Sequence, residues 1–227
     1  NAANYVTLTS EELNKNLDIP KKKFSIIPNG VDIEMFRNIK NAKEELGLDG
    51  FIVGYVGVLR EWVDLEPVFK ALKYLDKNIK LLVVGSEGRL KEKQDLTKKY
   101  GINHRVIFTG MVSYSQVPKY ISAMDVGLIP FKSGNVSENA LPIKLFEYMA
   151  CEKPVISTET RIIRSKFGDN VLYASNCKEY KEKIEMLYLN GKIMKQLGKN
   201  GRKIVEKEYN WKSIVGKLEK LLIQEIE

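Results

Sequence analysis

Short apolar runs alternate with longer amphipathic ones along the chain. Residues 5–9, 24–27, 52–56, 80–84, 106–109, 126–129 and 154–157 are rich in Val and Ile and mostly apolar at successive positions. Strands apolar on both faces belong to a parallel sheet covered by helices on each side. Between them, Leu65, Val68, Phe69, Leu72 and Leu75 recur at threes and fours, the stripe of an amphipathic helix. Residues 90–100 read as a helix ending at Gly101, a good C-terminal cap. Residues 115–124 form another, leading into the strand at Val126. Two long helices follow at 178–190 and 192–208, broken at Asn190-Gly191. A last helix, 212–225, carries Ile214, Val215, Leu218, Leu221 and Leu222 on one face, which predicts a buried stripe.

Strand and helix alternating this often predict an α/β fold, a doubly wound parallel sheet of Rossmann-like type. Such sheets bind ligands outside the carboxyl ends of their strands. A polar, basic stretch at residues 20–23 marks the expected boundary between the first strand and helix and the rest.

Composition narrows the function classes. The chain has 227 residues, 44% apolar and 29% charged, enough for one large domain or a domain plus a fragment. Cys151, Cys177 and the single His104 cannot assemble a zinc site of the usual ligand number, so no metal is expected. Two isolated cysteines suit a reducing compartment, and a cytoplasmic location is expected. No apolar run is long enough to cross a bilayer. The start at Asn1-Ala2-Ala3, without methionine, suggests an excised fragment. The net charge of +8 gathers at residues 89–99 and 178–207, interleaved with acids as on solvated helix faces. It favours polyanions or an anionic membrane surface, and hence peripheral association at the inner membrane face. The basic stretches lack aromatic interleaving and nucleic-acid motifs, so no nucleic-acid partner is expected. Asn135-Val136-Ser137 fits the N-glycosylation pattern, which a chance match also explains.

Candidate chemistry sits in the turns. Gly57, Gly85 and Gly110 each follow a predicted strand, where glycine admits close ligand approach or simply makes a turn. Neither G-x-G-x-x-G nor a P-loop occurs. The most informative segment runs from Ser137 to Ala150. Pro142 suits the first position of a helix, and Leu145, Phe146 and Met149 would bury one face. Lys144 then lies in the first turn, where it opposes the helix dipole by about 0.3–1 kcal/mol. A bound phosphate would reverse that sign, while a solvated lysine without ligand stays open. Glu147 shares its side of the helix and could accept hydrogen bonds from a ribose diol, or pair with Lys144.

These residues resemble the large retaining glycosyltransferase family called group 1 or family 4, of the two-Rossmann-domain GT-B type. The likeness runs through Val6–Ser10 and Ile26–Asp32, then Val106–Gly110 to Ala123–Pro130, then Phe146–Ser157, and ends at Tyr209-Asn210-Trp211. It implies that the chain is the C-terminal half of a GT-B glycosyltransferase. Residues 1–23 would be a remnant of the N-terminal acceptor domain with its linker. Residues 24–208 would bind the nucleotide sugar, and 209–227 would be a C-terminal helix.

The resemblance further implies a nucleoside-diphosphate sugar as partner and hexosyl transfer with retention to a glycan or lipid-linked acceptor, with no metal or other cofactor. The base would lie near Gly110 and Met111, and Glu147 would hold the ribose. The diphosphate would rest on Ile143, Lys144 and Leu145, with Gly57, Gly85, Ser86, Leu141 and Pro142 around the donor. Lys144 and Arg60 are the expected catalytic cations, since negative charge develops on the departing diphosphate.

Two departures stand out. The family's first glutamate position is Asn139, with Glu138 beside it. Its Gly-Arg-Leu turn reads Gly57-Val58-Leu59-Arg60-Glu61-Trp62, with Val58 at the arginine position. The fragment is expected to fold and bind donor weakly without transferring sugar alone. Trp62 reads as a packing residue, with a sugar platform as the alternative. The alternatives are a non-catalytic nucleotide- or sugar-binding module, favoured by the altered turn, and an NAD-dependent oxidoreductase domain, disfavoured by the missing fingerprint.

Overall fold

The computed structural model describes residues 3, 5–85, 88–132 and 141–226. Ser86, Glu138, Asn139 and the Asn135–Ser137 pattern lie outside the described residues. The strands are β1 (Val6–Leu8), β2 (Phe24–Ile26), β3 (Phe51–Val56), β4 (Ile79–Val84), β5 (Val106–Gly110), β6 (Val126–Ile129), β7 (Val155–Ser157) and β8 (Leu172–Tyr173). The helices are α1 (Ala42–Glu45), α2 (Glu66–Leu72), α3 (Leu90–Lys99), α4 (Val117–Ala123), α5 (Ile143–Ala150), α6 (Arg161–Phe167), α7 (Cys177–Leu189), α8 (Gly191–Glu208) and α9 (Trp211–Ile226).

The main sheet has six parallel strands in the order β5-β4-β3-β6-β7-β8. This is the doubly wound order expected from the alternation. The chain winds outward from β3 to β5, then returns to the other side of β3 and winds outward again. Alternate residues of β3 feed two cores. Ile52 and Val56 pack with Ile121, Leu145, Phe146 and Val205, while Val53 and Tyr55 pack with Val68, Phe69, Ile184 and Leu187. Residues buried on both sides explain why these strands are continuously apolar.

A smaller sheet pairs β1 with β2 in parallel, Val6 opposite Phe24. These strands flank residues 20–23. Val31 ties the end of the chain to this region, its N–H donating to Tyr209 O and its carbonyl accepting from Trp211 N. Residues 33–36 are held the same way, since Arg202 donates to Ile33 O, Phe36 O and Ala150 O.

The reversal of winding falls between β3 and β6, and there the sheet splays. β3 pairs with β6 only at Val53↔Val126 and Gly54↔Gly127. Beyond that point Val56 N–H has no strand partner on the β6 side and donates to Tyr148 Oη at 2.8 Å. Tyr148 reaches it because Gly127 offers no side chain; a Cβ there would lie 2.6 Å from the Tyr148 ring. α5 is thereby pinned across the mouth of the crevice.

The stripe on α9 is only partly buried. Ile214 is enclosed, but Val215 and Leu222 stand exposed. Periodicity gives a helix its apolar face, but the neighbour that covers it comes from the rest of the fold.

Candidate functional site

At the carboxyl ends of β3, β4 and β5 the backbone turns through Gly57, Gly85 and Gly110, with φ of 131°, 125° and 73°. Gly85 N–H donates to Gly110 O at 3.0 Å, and Gly57 N–H to Val84 O at 2.9 Å. A Cβ on Gly85 would sit 2.5 Å from Gly57 O. Gly57 and Gly85 have no room for a side chain, and the positive φ at all three turns favours glycine, so together they make a bare backbone floor.

Above that floor opens a cleft of about 270 Å³. Val56, Val84, Val112 and Val117 wall it, Met111 and Tyr114 stand at its mouth, and Glu147 lies at one side. Met111 is 72% exposed, an apolar side chain offered to solvent. A larger surface cleft of about 480 Å³ lies at the outer β8 edge, away from the crevice. Its Arg164 is already paired with Glu159 and Asp169.

The first turn of α5 carries Lys144 over Gly57, at the edge of the cleft. Pro142 is the residue before the helix, not its first helical residue, and no side chain caps the turn. Leu145 N–H donates to Pro142 O at 3.0 Å. Among the described residues this leaves the amides of Ile143 and Lys144 as the orphan donors of the first turn. Ile143 is exposed and Leu141 is buried behind it. The turn is therefore open toward solvent, as an anion site requires.

The Lys144 ammonium stands directly over Gly57, 2.7 Å from where a Cβ on that glycine would lie. Its Nζ donates to Tyr55 Oη at 3.0 Å and sits 4.2 Å from the Tyr55 ring centroid. The Tyr55 hydroxyl in turn donates to Val58 O at 2.9 Å. Such a cation–π contact contributes roughly 0.5–2 kcal/mol. Among the described residues no carboxylate comes within ion-pair distance of Lys144.

The pair within the helix is not made, because Glu147 Oε1 accepts from Tyr114 Oη at 3.2 Å instead. Burial pulls the Lys144 amine down to about 8, and the nearby Glu147 opposes that shift. Burial raises the Glu147 carboxyl, opposed by the Tyr114 hydrogen bond and by Lys144. The Tyr114 hydroxyl is pushed up to about 12, by burial first and then by Glu147. Burial thus shifts both groups against their charged forms, Lys144 over Gly57 and Glu147 at the side of the cleft, and perturbed groups of this kind cluster at functional sites.

A family model described as group 1 glycosyl transferases matches residues 36–204. The chain belongs to the group 1 glycosyltransferases. TuaH of Bacillus subtilis, named for teichuronic acid biosynthesis, is 28% identical over 88% of this chain and 50% of its own length. The capsular polysaccharide biosynthesis glycosyltransferase CapM of Staphylococcus aureus is 28% identical over 85% of this chain and 52% of its own. The chain spans about half the length of the curated relatives it matches. Among solved structures, a sucrose-phosphate synthase from Thermosynechococcus elongatus superposes with a TM-score of 0.85 at 24% identity, over 97% of this chain and 58% of that one. Anabaena Alr3699/HepE, in complex with UDP, superposes with a TM-score of 0.87 at 18% identity, over 98% and 64%. These likenesses establish a shared fold.

In this chain the crevice brings Gly57, Gly85, Met111 and Glu147 together, with Gly110 bonded to Gly85 and the Lys144 ammonium standing over Gly57. Arg60 lies exposed in the turn after β3 and is not among the residues that wall the cleft. Trp62 is 39% exposed, and its carbonyl accepts from Lys132 N at 2.8 Å. Two residues of the site, Tyr55 and Tyr114, are not singled out by the motifs and spacings of the sequence. Tyr55 does carry one signal. A tyrosine inside a fully buried strand needs a partner for its hydroxyl.

Proposed function

We propose that this chain is the donor-binding half of a glycosyltransferase that moves a hexosyl group, with retention, from a nucleoside-diphosphate sugar to a glycan or lipid-linked acceptor. One observation carries the reading: an ammonium with no carboxylate partner among the described residues stands over a glycine floor, beside the open first turn of α5. The diphosphate would meet Lys144 and the free amides of Ile143 and Lys144. The ribose diol would face Glu147, and the base would lie against Gly110 and Met111.

As the bond from sugar to diphosphate breaks, negative charge grows on the leaving oxygen. A cation already in place stabilises it without reorganisation. Val58 cannot supply the arginine expected at its position, so Lys144 is the central cation and Arg60 an auxiliary that must swing inward to act. This reading needs no resident metal. Among the described residues no cluster of His, Cys, Asp or Glu is arranged to hold one.

Thermal melting in the presence of UDP, GDP and their sugars tests the reading. A ligand at a hundredfold excess over its Kd stabilises by about 2.7 kcal/mol, which should raise Tm by roughly 5–10 °C. Glu147→Ala should remove that rise while leaving the unliganded Tm within a few degrees. If no nucleotide moves the melting curve, the donor reading is wrong.

Membrane association belongs to the same proposal. Among the described residues no helix is long and apolar enough to cross a membrane. α8 presents Lys192, Lys195, Lys199, Lys203 and Lys207 at spacings of three and four, all exposed, opposite its buried Gly198, Gly201 and Val205. Each lysine near an anionic bilayer contributes about 1 kcal/mol. Vesicles containing phosphatidylglycerol should sediment the protein at physiological salt, and pure phosphatidylcholine vesicles should not. Equal recovery with both would remove the membrane from the proposal.

A further inference from the structure

The Lys144 ammonium is held in an unusual way. Its partners are a phenol and an aromatic face, neither of which carries charge. A carboxylate in the same place would hold the ammonium and also neutralise it. Tyr55 fixes the position while leaving the whole positive charge available to an incoming anion.

The direction of the contact is also determined. Because the Tyr55 hydroxyl gives its proton to Val58 O, its lone pairs are what it presents to Lys144 Nζ. The phenol is fully enclosed in the core below the sheet edge, so its orientation is set by packing. Val58 belongs to the turn that lacks the expected arginine. One strand residue thus links that turn to the first turn of α5, across 89 positions of sequence.

We propose that Tyr55 is a positioning residue for the donor diphosphate: its hydroxyl and ring hold the Lys144 ammonium over Gly57, charged and aimed at the cleft. This rests on the reading of Lys144 as the diphosphate-binding cation. Among the described residues, the groups that face Lys144 from the elements packed against it are Tyr55 of β3 and Glu147 of α5. Tyr148 lies beside Tyr55 with its hydroxyl engaged by Val56 N–H. The depressed amine is consistent with this enclosure, and loss of the phenolic acceptor should depress it further.

The test has two arms. In the first, the side-chain methylene next to Lys144 Nζ is followed by NMR through a pH titration of the unliganded protein. In the wild type its protons should be shifted upfield by the Tyr55 ring, and the midpoint should lie near 8. Tyr55→Phe should keep the upfield shift and move the midpoint to lower pH. Wild-type protons at the solvent-exposed lysine position, or an unchanged midpoint in Tyr55→Phe, would overturn the proposal. The wild-type signature holds even if the variant folds poorly.

In the second arm, UDP affinity is measured by calorimetry across the same pH range. Tyr55→Phe should bind roughly tenfold more weakly at neutral pH, with the alkaline loss of affinity setting in earlier. Wild-type affinity and pH profile in Tyr55→Phe, with binding lost in Lys144→Ala, would overturn the role of Tyr55 and leave the donor reading intact. Failure of the wild type to bind UDP or GDP, with the NMR midpoint still moving in Tyr55→Phe, would overturn the donor reading and keep the positioning of the ammonium.

Discussion

Lys144→Ala is expected to weaken nucleoside-diphosphate binding by roughly a hundredfold, about 3 kcal/mol, without loss of the fold. The side chain meets its partners at the end of a flexible stem, and truncation leaves only the Tyr55 hydroxyl to find a water. Its pH signature separates this lysine from any surface cation. The amine is lowered from 10.5 to about 8 by burial. Below that value it is charged and affinity is flat; above it, affinity falls as the charge is lost.

Stability of the unliganded protein runs the opposite way. Between about 8 and 10.5 the unfolded chain holds a proton that the folded chain has released. Stability therefore rises with pH across that window. Lys144→Ala should remove both trends, measured by calorimetric titration with UDP and by denaturant melts. An affinity as pH-dependent in the variant as in the wild type would exclude Lys144 as the titrating cation.

Arg105→Ala is expected to destabilise the domain by about 3–5 kcal/mol, among the largest effects of any single substitution outside the aromatic core. The Arg105 guanidinium is 7% exposed and bonds carbonyls rather than a carboxylate. It donates to Leu72 O at 2.6 Å, Asp76 O at 2.6 Å and Ile79 O at 2.8 Å. These are the last carbonyl of α2, a carbonyl of the turn that follows and the first carbonyl of β4, so one side chain ties a helix end to the start of a strand. Removing it strands buried acceptors. Arg105→Lys should recover part of the loss, since an ammonium reaches fewer of the three. Urea denaturation monitored by far-UV circular dichroism measures both, and a loss under 1 kcal/mol in Arg105→Ala would contradict this assignment.

Much of the fold was legible from pattern. Five of the six main-sheet strands, β3 to β7, stand out by Val and Ile content and lie within a residue of their predicted bounds, because burial on both faces leaves few polar positions to blur the edges. β8 was not legible. It is two residues long, and Leu172–Tyr173 carries no period. Helix α6 carries a signal too short to read. Thr160 caps it by accepting from Ile163 N, and Ile162, Ile163 and Phe167 form its buried stripe. Its seven residues are too few for periodicity to rise above chance.

The site divided along the same line. Gly57, Gly85, Gly110, Lys144 and Glu147 were legible because each sits where a local element meets the strand ends. Sequence alone determined that a cation would stand at the first turn of α5 and that glycines would clear the strand ends before it. Only the tertiary structure decided what holds that cation. Tyr55 and Tyr114 reach Lys144 and Glu147 from other elements, through hydroxyls whose bonding depends on the packing of α5 across the splayed β3–β6 crevice. Local periodicity encodes which face of an element is buried, whereas hydrogen bonds between distant side chains exist only after the sheet has brought their elements together.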